Sequence, residues 1–469
     1  MNSRTNTAGS QRPRALCVAI SLFLFVSLAP LCAAREGRDP LADDLILRRE
    51  LAAALLSREP ERDWAALSGH KLLPGGERVS VEVSDGEGMQ RTVAFKRWHA
   101  AYTVPRSAGS WLFTVERGLL RSARYWPRSD SEAWIDFHVA PEGLVRVSVR
   151  LYGAWPVWQR QAPLRPQELL SLPMDSLFER IESIVPFKYF TVYAEDFAKT
   201  RTFDAAIRAS LPLRYRDDGA LDERGQPVFI EDGRPQGEVP GLNCSGFVKW
   251  LVDGVIMGHG AEATRINELI KPPEARGHGF SRALEDEQDP FFGLDWVRNL
   301  AIAAQMAADP LARRPALSEY EINTAPFALL DPALFSPKPE ATAEGPWPWT
   351  GFASDIGFPV EGLAAILYTL ALDDSDAFWL VSLNNTPKGA TQRRHSHVAA
   401  LVPWFSENGA FRVSVFESGT ASDFAPFIRR HEGWHAYLVR IPVPRSFSPH
   451  YLRELQLPGT GLWRGGLKR

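Results

Sequence analysis

Between residues 77 and 152 the apolar residues fall at every second position. Val79, Val81 and Val83 alternate with polar neighbours, and so do Val145, Val147, Val149 and Leu151. A period of two sends successive side chains to opposite faces of a strand, so this stretch is expected to form a sheet with one buried face. Ala140-Pro141-Glu142-Gly143 separates the runs 134–139 and 144–152 as a hairpin turn does. A helix is expected ahead of the sheet at 44–56 and another behind it near 167–184. Residues 35–195 therefore read as a β-rich first domain. Its tryptophans, among them Trp98, Trp111, Trp126 and Trp134, suit a core or a ligand-facing surface, and no catalytic grouping accompanies them.

The remainder, residues 196–469, mixes helix and strand patterns, which makes the whole chain α+β. Phe203 and Ile207 have helical spacing, a strong helical pattern covers 360–372, and apolar strands are expected at 378–383, 397–402 and 411–416. Residues 309–350 are rich in proline and alanine, with Pro337, Pro339, Pro346 and Pro348 near the end, and read as an extended loop or insertion. A length of 469 residues leaves room for two or three domains with real cores.

The first 34 residues read as a signal peptide. Arg4, Arg12 and Arg14 precede an apolar run from Ala15 to Leu31, too short to span a bilayer, which closes on Leu31-Cys32-Ala33-Ala34. A lipid anchor on Cys32 is the alternative, and Pro30 and Leu31 suit it poorly. The expected product is periplasmic or secreted and has no membrane span. Removal of this segment leaves 50 basic against 56 acidic residues, a net charge near −6, with no basic excess for nucleic acid. It also removes Cys17 and Cys32, leaving Cys244 alone. Free cysteines are commonly small buried apolar residues. A lone thiol in an oxidising compartment nevertheless invites a chemical explanation.

Cys244 lies in Gly241-Leu242-Asn243-Cys244-Ser245-Gly246-Phe247, and Phe247, Val248, Leu251, Val252 and Val255 follow at helical spacing. The cysteine thus opens a helix with Asn243 as its cap. Free amides and the positive end of the helix dipole favour a thiolate there, the form that attacks carbonyl carbon. A base is needed, and His397, at the mouth of an apolar strand, is the first choice, with His395 the second. A carboxylate could orient that histidine. By strand parity Glu417 shares a face with Phe411, Val413 and Val415, where it needs a partner, although a plain turn residue before Ser418-Gly419 fits as well.

The run Asn243-Cys244-Ser245-Gly246-Phe247, the strand start His397-Val398-Ala399-Ala400-Leu401 and a later strand with a polar residue resemble the NlpC-type peptidases of the papain-like superfamily. The resemblance covers about residues 200–260 and 376–445. It implies a Cys-bearing helix packed on an antiparallel sheet, and an exported enzyme that cuts amide bonds in the peptide stems of bacterial cell wall without a cofactor or metal. Cys244 would be the nucleophile, His397 the base and Glu417 the orienting residue. Tyr215 would line the site, with Ser245 beside the nucleophile also on the substrate side. This chain departs from the pattern at Asn243, where aspartate is usual, at Glu417, and in a large insertion at about 258–375.

Other readings compete. His431-Glu432-Gly433-Trp434-His435 is a literal His-Glu-x-x-His, which on a helix binds zinc with the glutamate as base, and Glu454 could be a distant third ligand. Gly433 and the strand-like run 437–441 argue against that helix, and Arg429 and Arg430 put two cations beside a proposed cation site. An inactive wall-binding protein and an amide or acyl transferase using the same Cys and His are the remaining alternatives.

Overall fold

A computed structural model of the chain describes residues 42–456 apart from 58–59, 73–77, 87–88, 99–104, 129, 186, 274–288, 310, 312–354, 391, 408 and 452. The expected signal peptide and nearly all of the proline-rich stretch lie outside the described residues. What is described mixes helices with two large antiparallel sheets.

The alternating first half forms an eight-stranded meander, each strand pairing with the next: β1 Gly69–Leu72, β2 Arg78–Asp85, β3 Gln90–Trp98, β4 Pro105–Glu116, β5 Leu119–Trp126, β6 Ala133–Val139, β7 Val145–Leu151 and β8 Ala154–Ala162. The valines at 79, 81, 145, 147 and 149 are buried, as the period requires. Ala140-Pro141-Glu142-Gly143 turns β6 into β7, with Gly143 at φ 81° and its N–H bonded to the Ala140 carbonyl at 2.8 Å. Helix Leu45–Leu55 precedes the sheet. The expected helix near 167–184 is two, Glu168–Ser171 and Met174–Ile181, because Pro173 lacks an N–H and stands as the cap of the second.

A small ribbon follows, β9 Gly219–Leu221 with β10 Pro227–Phe229. The second large sheet has the order β11-β16-β12-β13-β14-β15, with β11 Phe358–Pro359, β12 Ala377–Asn385, β13 Arg394–Phe405, β14 Phe411–Glu417, β15 Thr420–Asp423 and β16 His435–Pro442. Both of its faces are covered. Phe378, Leu380, Val398, Ala400, Phe416 and Val439 pack against helices Ala198–Ala209, Cys244–Gly258 and Phe292–Ala308. Trp379, Val381, Ala399, Leu401, Val415 and Leu438 face helix Leu363–Asp373 and belong to one apolar cluster with the interior of β1–β8. Central strands buried on both sides read as near-continuous apolar runs, which is why 378–383 and 397–402 stand out in the sequence.

Polar links cross the same region: Tyr368 donates to the Tyr189 carbonyl at 2.6 Å, and Arg128 donates to the carbonyls of Phe190 and Gly409 at 3.2 and 2.8 Å. The described part of the expected insertion also packs inside. Helix Phe292–Ala308 lies beside the Cys244 helix, and the Trp296 indole donates to the Ser245 carbonyl at 2.9 Å.

Candidate active site

The Cys244 helix starts where the sequence puts its cap. Asn243 is extended at φ −80° and ψ −172°, and its Oδ1 accepts the Gly246 N–H at 2.8 Å. The helix end presses against β9: Asn243 donates to the Gly219 carbonyl at 2.9 Å, and a Cβ on Gly246 would stand 2.0 Å from that same oxygen. Gly246 is therefore required by close approach. Beyond it, Ser245–Ile256 is buried throughout, including Lys249 and Asp253, which pair at 2.5 Å inside the helix. Asp253 also accepts the N–H and hydroxyl of Thr264 at 2.9 and 2.8 Å. A buried pair held by such extra hydrogen bonds ties the helix to the chain that follows it. The first helical amides, those of Cys244 and Ser245, have no intrahelical acceptor.

The pairing of β13 with β14 ends at Ala400–Phe416. Two residues further out, the Val398 amide is near enough to favour the Cys244 thiolate, so the thiol lies beside the place where the two strands part. There it meets His397. The ring is close enough to the sulfur for each to shift the other's titration, and Nε2 of the same ring donates to Glu417 Oε2 at 2.9 Å, so Nδ1 is the nitrogen available to the sulfur. Glu417 is held in turn by the Ser422 hydroxyl at 2.9 Å and by Arg430, both on Oε1. Its position follows from a tight two-residue turn: Ser418 and Gly419 both take positive φ, 48° and 81°, between the paired residues Glu417 and Thr420. The structure thus brings Cys244, His397 and Glu417 together, with the ring hydrogen-bonded to Glu417 and next to the sulfur.

The electrostatics of that group favour charge separation. Burial alone would push the Cys244 thiol up. The His397 hydrogen bond and charge, the Val398 amide and the Ser245 hydroxyl outweigh it and hold the thiol below its ordinary value. Burial would likewise depress His397, yet the bonds to Cys244 and Glu417 and their charges raise it to about 9. Glu417 is raised by burial but ends below the usual carboxylate range through His397, Ser422 and Arg430. The lowered thiol and the raised imidazole both favour the thiolate–imidazolium form.

The chain matches no family model, no curated protein and no solved structure.

Tyr215 lies next to Leu242 through a short parallel bridge, is 57 % exposed, and is close enough to feel the Cys244 charge; burial, Asp217 and that charge raise its phenol. Ser245 is only 4 % exposed, with its hydroxyl 4.0 Å from the sulfur. It supports the thiol rather than offering a surface to substrate. His395, the second choice of base, is occupied elsewhere: Nδ1 bonds the Ser382 hydroxyl at 2.9 Å and Nε2 the Asp355 carbonyl at 2.8 Å.

The His-Glu-x-x-His run is not helical. Helix Phe424–Arg430 ends before it, Gly433 takes φ 77°, and His435 begins β16. His431 Nδ1 donates to the Phe427 carbonyl at 2.9 Å, and His435 Nδ1 faces the Arg393 guanidinium at 3.3 Å. Two histidines on one helical face, which the zinc reading needs, are therefore not provided. Among the described residues no group of three or more His, Cys, Asp or Glu stands where it could hold a metal ion, and no helix is long and apolar enough to cross a membrane.

An open cleft of about 520 Å³ exposes His397 and Glu417 beside Ser422, Arg430, His431 and Trp434. The last four were not singled out as parts of a thiol site. For Ser422 a signal existed, since the Ser418-Gly419 turn implies a hairpin that returns a strand past Glu417.

Proposed function

We propose that the chain is an exported cysteine hydrolase of peptide or amide bonds, with an NlpC-type, papain-like catalytic region in residues 196–469 and peptidoglycan stem peptides as its substrate class. The observation that carries this reading is the grouping of Cys244 at a helix start with His397, which is hydrogen-bonded to Glu417. The export and the substrate class rest on the signal-like first 34 residues and on the sequence resemblance.

In this mechanism the Cys244 thiolate forms a carbon–sulfur bond with the scissile carbonyl, whose π electrons move to oxygen. The Cys244 amide at the helix start supplies a hydrogen bond to that oxyanion. Collapse breaks the carbon–nitrogen bond, and the departing amine takes the proton that His397 carries. Water then attacks the thioester, His397 accepts its proton, and the thiolate is released. Glu417 keeps Nδ1 turned to the sulfur and stabilises the imidazolium.

The test is cleavage of purified stem peptides by wild type and Cys244→Ala, each with and without a chelator. Cleavage lost only in the variant supports the thiol mechanism. Cleavage unaffected by the substitution sinks it, and loss on chelation moves the chemistry to a metal.

A further inference from the structure

His431 is buried at 9 % exposure, yet it reaches the cleft, and its ring lies over His397 with centroids 5.6 Å apart and planes 15° from parallel. That is the geometry of a stacked pair. The ring is itself held on three sides. Its Nδ1 donates to the Phe427 carbonyl, an end group of helix Phe424–Arg430, the Phe427 ring is 4.8 Å away, and Trp434 meets it edge-on at 5.2 Å. The turn behind it is pinned as well: Trp434 N–H bonds the His431 carbonyl at 2.9 Å, Gly433 N–H bonds Glu361 at 2.5 Å, and Val360 N–H bonds the Trp434 carbonyl at 3.0 Å.

His397 needs such a wall. Its outer torsion is a broad, roughly two-fold one, so a half-turn of the ring would swap nitrogen for carbon at both ends. Only one orientation gives Nε2 to Glu417 and Nδ1 to Cys244. We propose that His431 is a positioning residue whose flat, anchored ring fixes the plane of the His397 imidazole and hinders that half-turn, while Glu417 selects the nitrogen. The role rests on the reading of Cys244 and His397 as nucleophile and base.

Charge is consistent with this role. Burial lowers His431, and the charges of His397 and Arg430 lower it further, against the Phe427 carbonyl and Glu417, which pull upward. His431 is then neutral beside a cationic His397, and two imidazolium rings are kept from facing each other. Arg430 on its own segment, Glu417 on β14 and His397 on β13 are the charged or titratable groups that act on it.

Alkylation of Cys244 by iodoacetamide, followed on the Cys244 peptide by mass spectrometry against pH, reads the thiolate without requiring hydrolysis. Wild type should stay reactive below the ordinary thiol range. His431→Leu, which fills space without a flat ring, should react about tenfold more slowly near pH 6, the equivalent of one unit in the thiol's titration. His431→Phe keeps the ring but loses the bond to Phe427. It should melt earlier and still alkylate within about twofold of wild type, a split that a purely structural role does not give. A folded His431→Leu with the wild-type profile overturns the proposal. So does nitrogen-15 NMR of wild type showing the His431 proton on Nε2, or a cationic His431 at neutral pH, whether or not either variant folds. An ordinary thiol titration in wild type would instead overturn the Cys244–His397 pair itself, and this proposal with it.

Discussion

His395-Ser396-His397 and His431-Glu432-Gly433-Trp434-His435 each carry two histidines over a short span, and the fold gives them opposite tasks. In the first, the two histidines of one strand part company. His395 is closed off between Ser382 and Asp355, whereas His397 lies where β13 and β14 separate and meets both a sulfur and a carboxylate. In the second, a spacing that reads as a metal motif is broken by a turn at Gly433, so that one histidine backs the His397 ring and the other starts a strand beside Arg393. A histidine's chemistry is set by what its two nitrogens face, and neighbours in the chain do not decide that.

The sharpest way to break this contrast is to remove groups from each segment in turn. Cys244→Ala and His397→Ala should each lower stem-peptide hydrolysis by at least ~10³-fold, measured as kcat/KM, because nucleophile and base act as a unit. Glu417→Gln should cost about 10²-fold, through loss of the charge that stabilises the imidazolium. The same substitution has a pH signature. Cleavage needs thiolate and imidazolium together, so activity should rise as pH passes the depressed thiol value and fall as His397 loses its proton near 9. Since Glu417 helps raise His397, Glu417→Gln should move the upper limb to lower pH. An upper limb that stays in place would separate Glu417 from the base. Asn243→Ala, which removes the cap without touching the site's charges, should destabilise the fold by about 1 kcal/mol in denaturant unfolding. Smallest of all, His435→Ala should leave hydrolysis within about twofold, and a larger loss would return chemistry to the second segment.

The helix start at Asn243-Cys244 was legible because capping is local: a short acceptor side chain reaches an amide three residues on, and the apolar positions that follow repeat at helical spacing. The valines of β2 and β7 were legible for the same reason, as was the parity that puts Glu417 with Val413 and Val415. The break at Pro173 was readable from one missing N–H, although the helical pattern around it hid the stop. His431 was legible only as a histidine, and its motif pointed to a metal. The stack it makes on His397 joins residues 34 apart in sequence through a turn whose course depends on Gly433, Glu361 and Val360. Nothing in residue spacing records that contact.

From its sequence alone this chain determined its periods, its α+β character, the cap before Cys244 and a short list of residue types able to do thiol chemistry, since each depends on interactions within a few residues. Tertiary structure alone decided that β13 parts from β14 beside the sulfur, that His397 and not His395 faces it, that Ser245 is buried, and that His431 stands behind the base. Those outcomes depend on which segments pack together, and burial and hydrogen-bond partners are assigned only when distant parts of the chain meet.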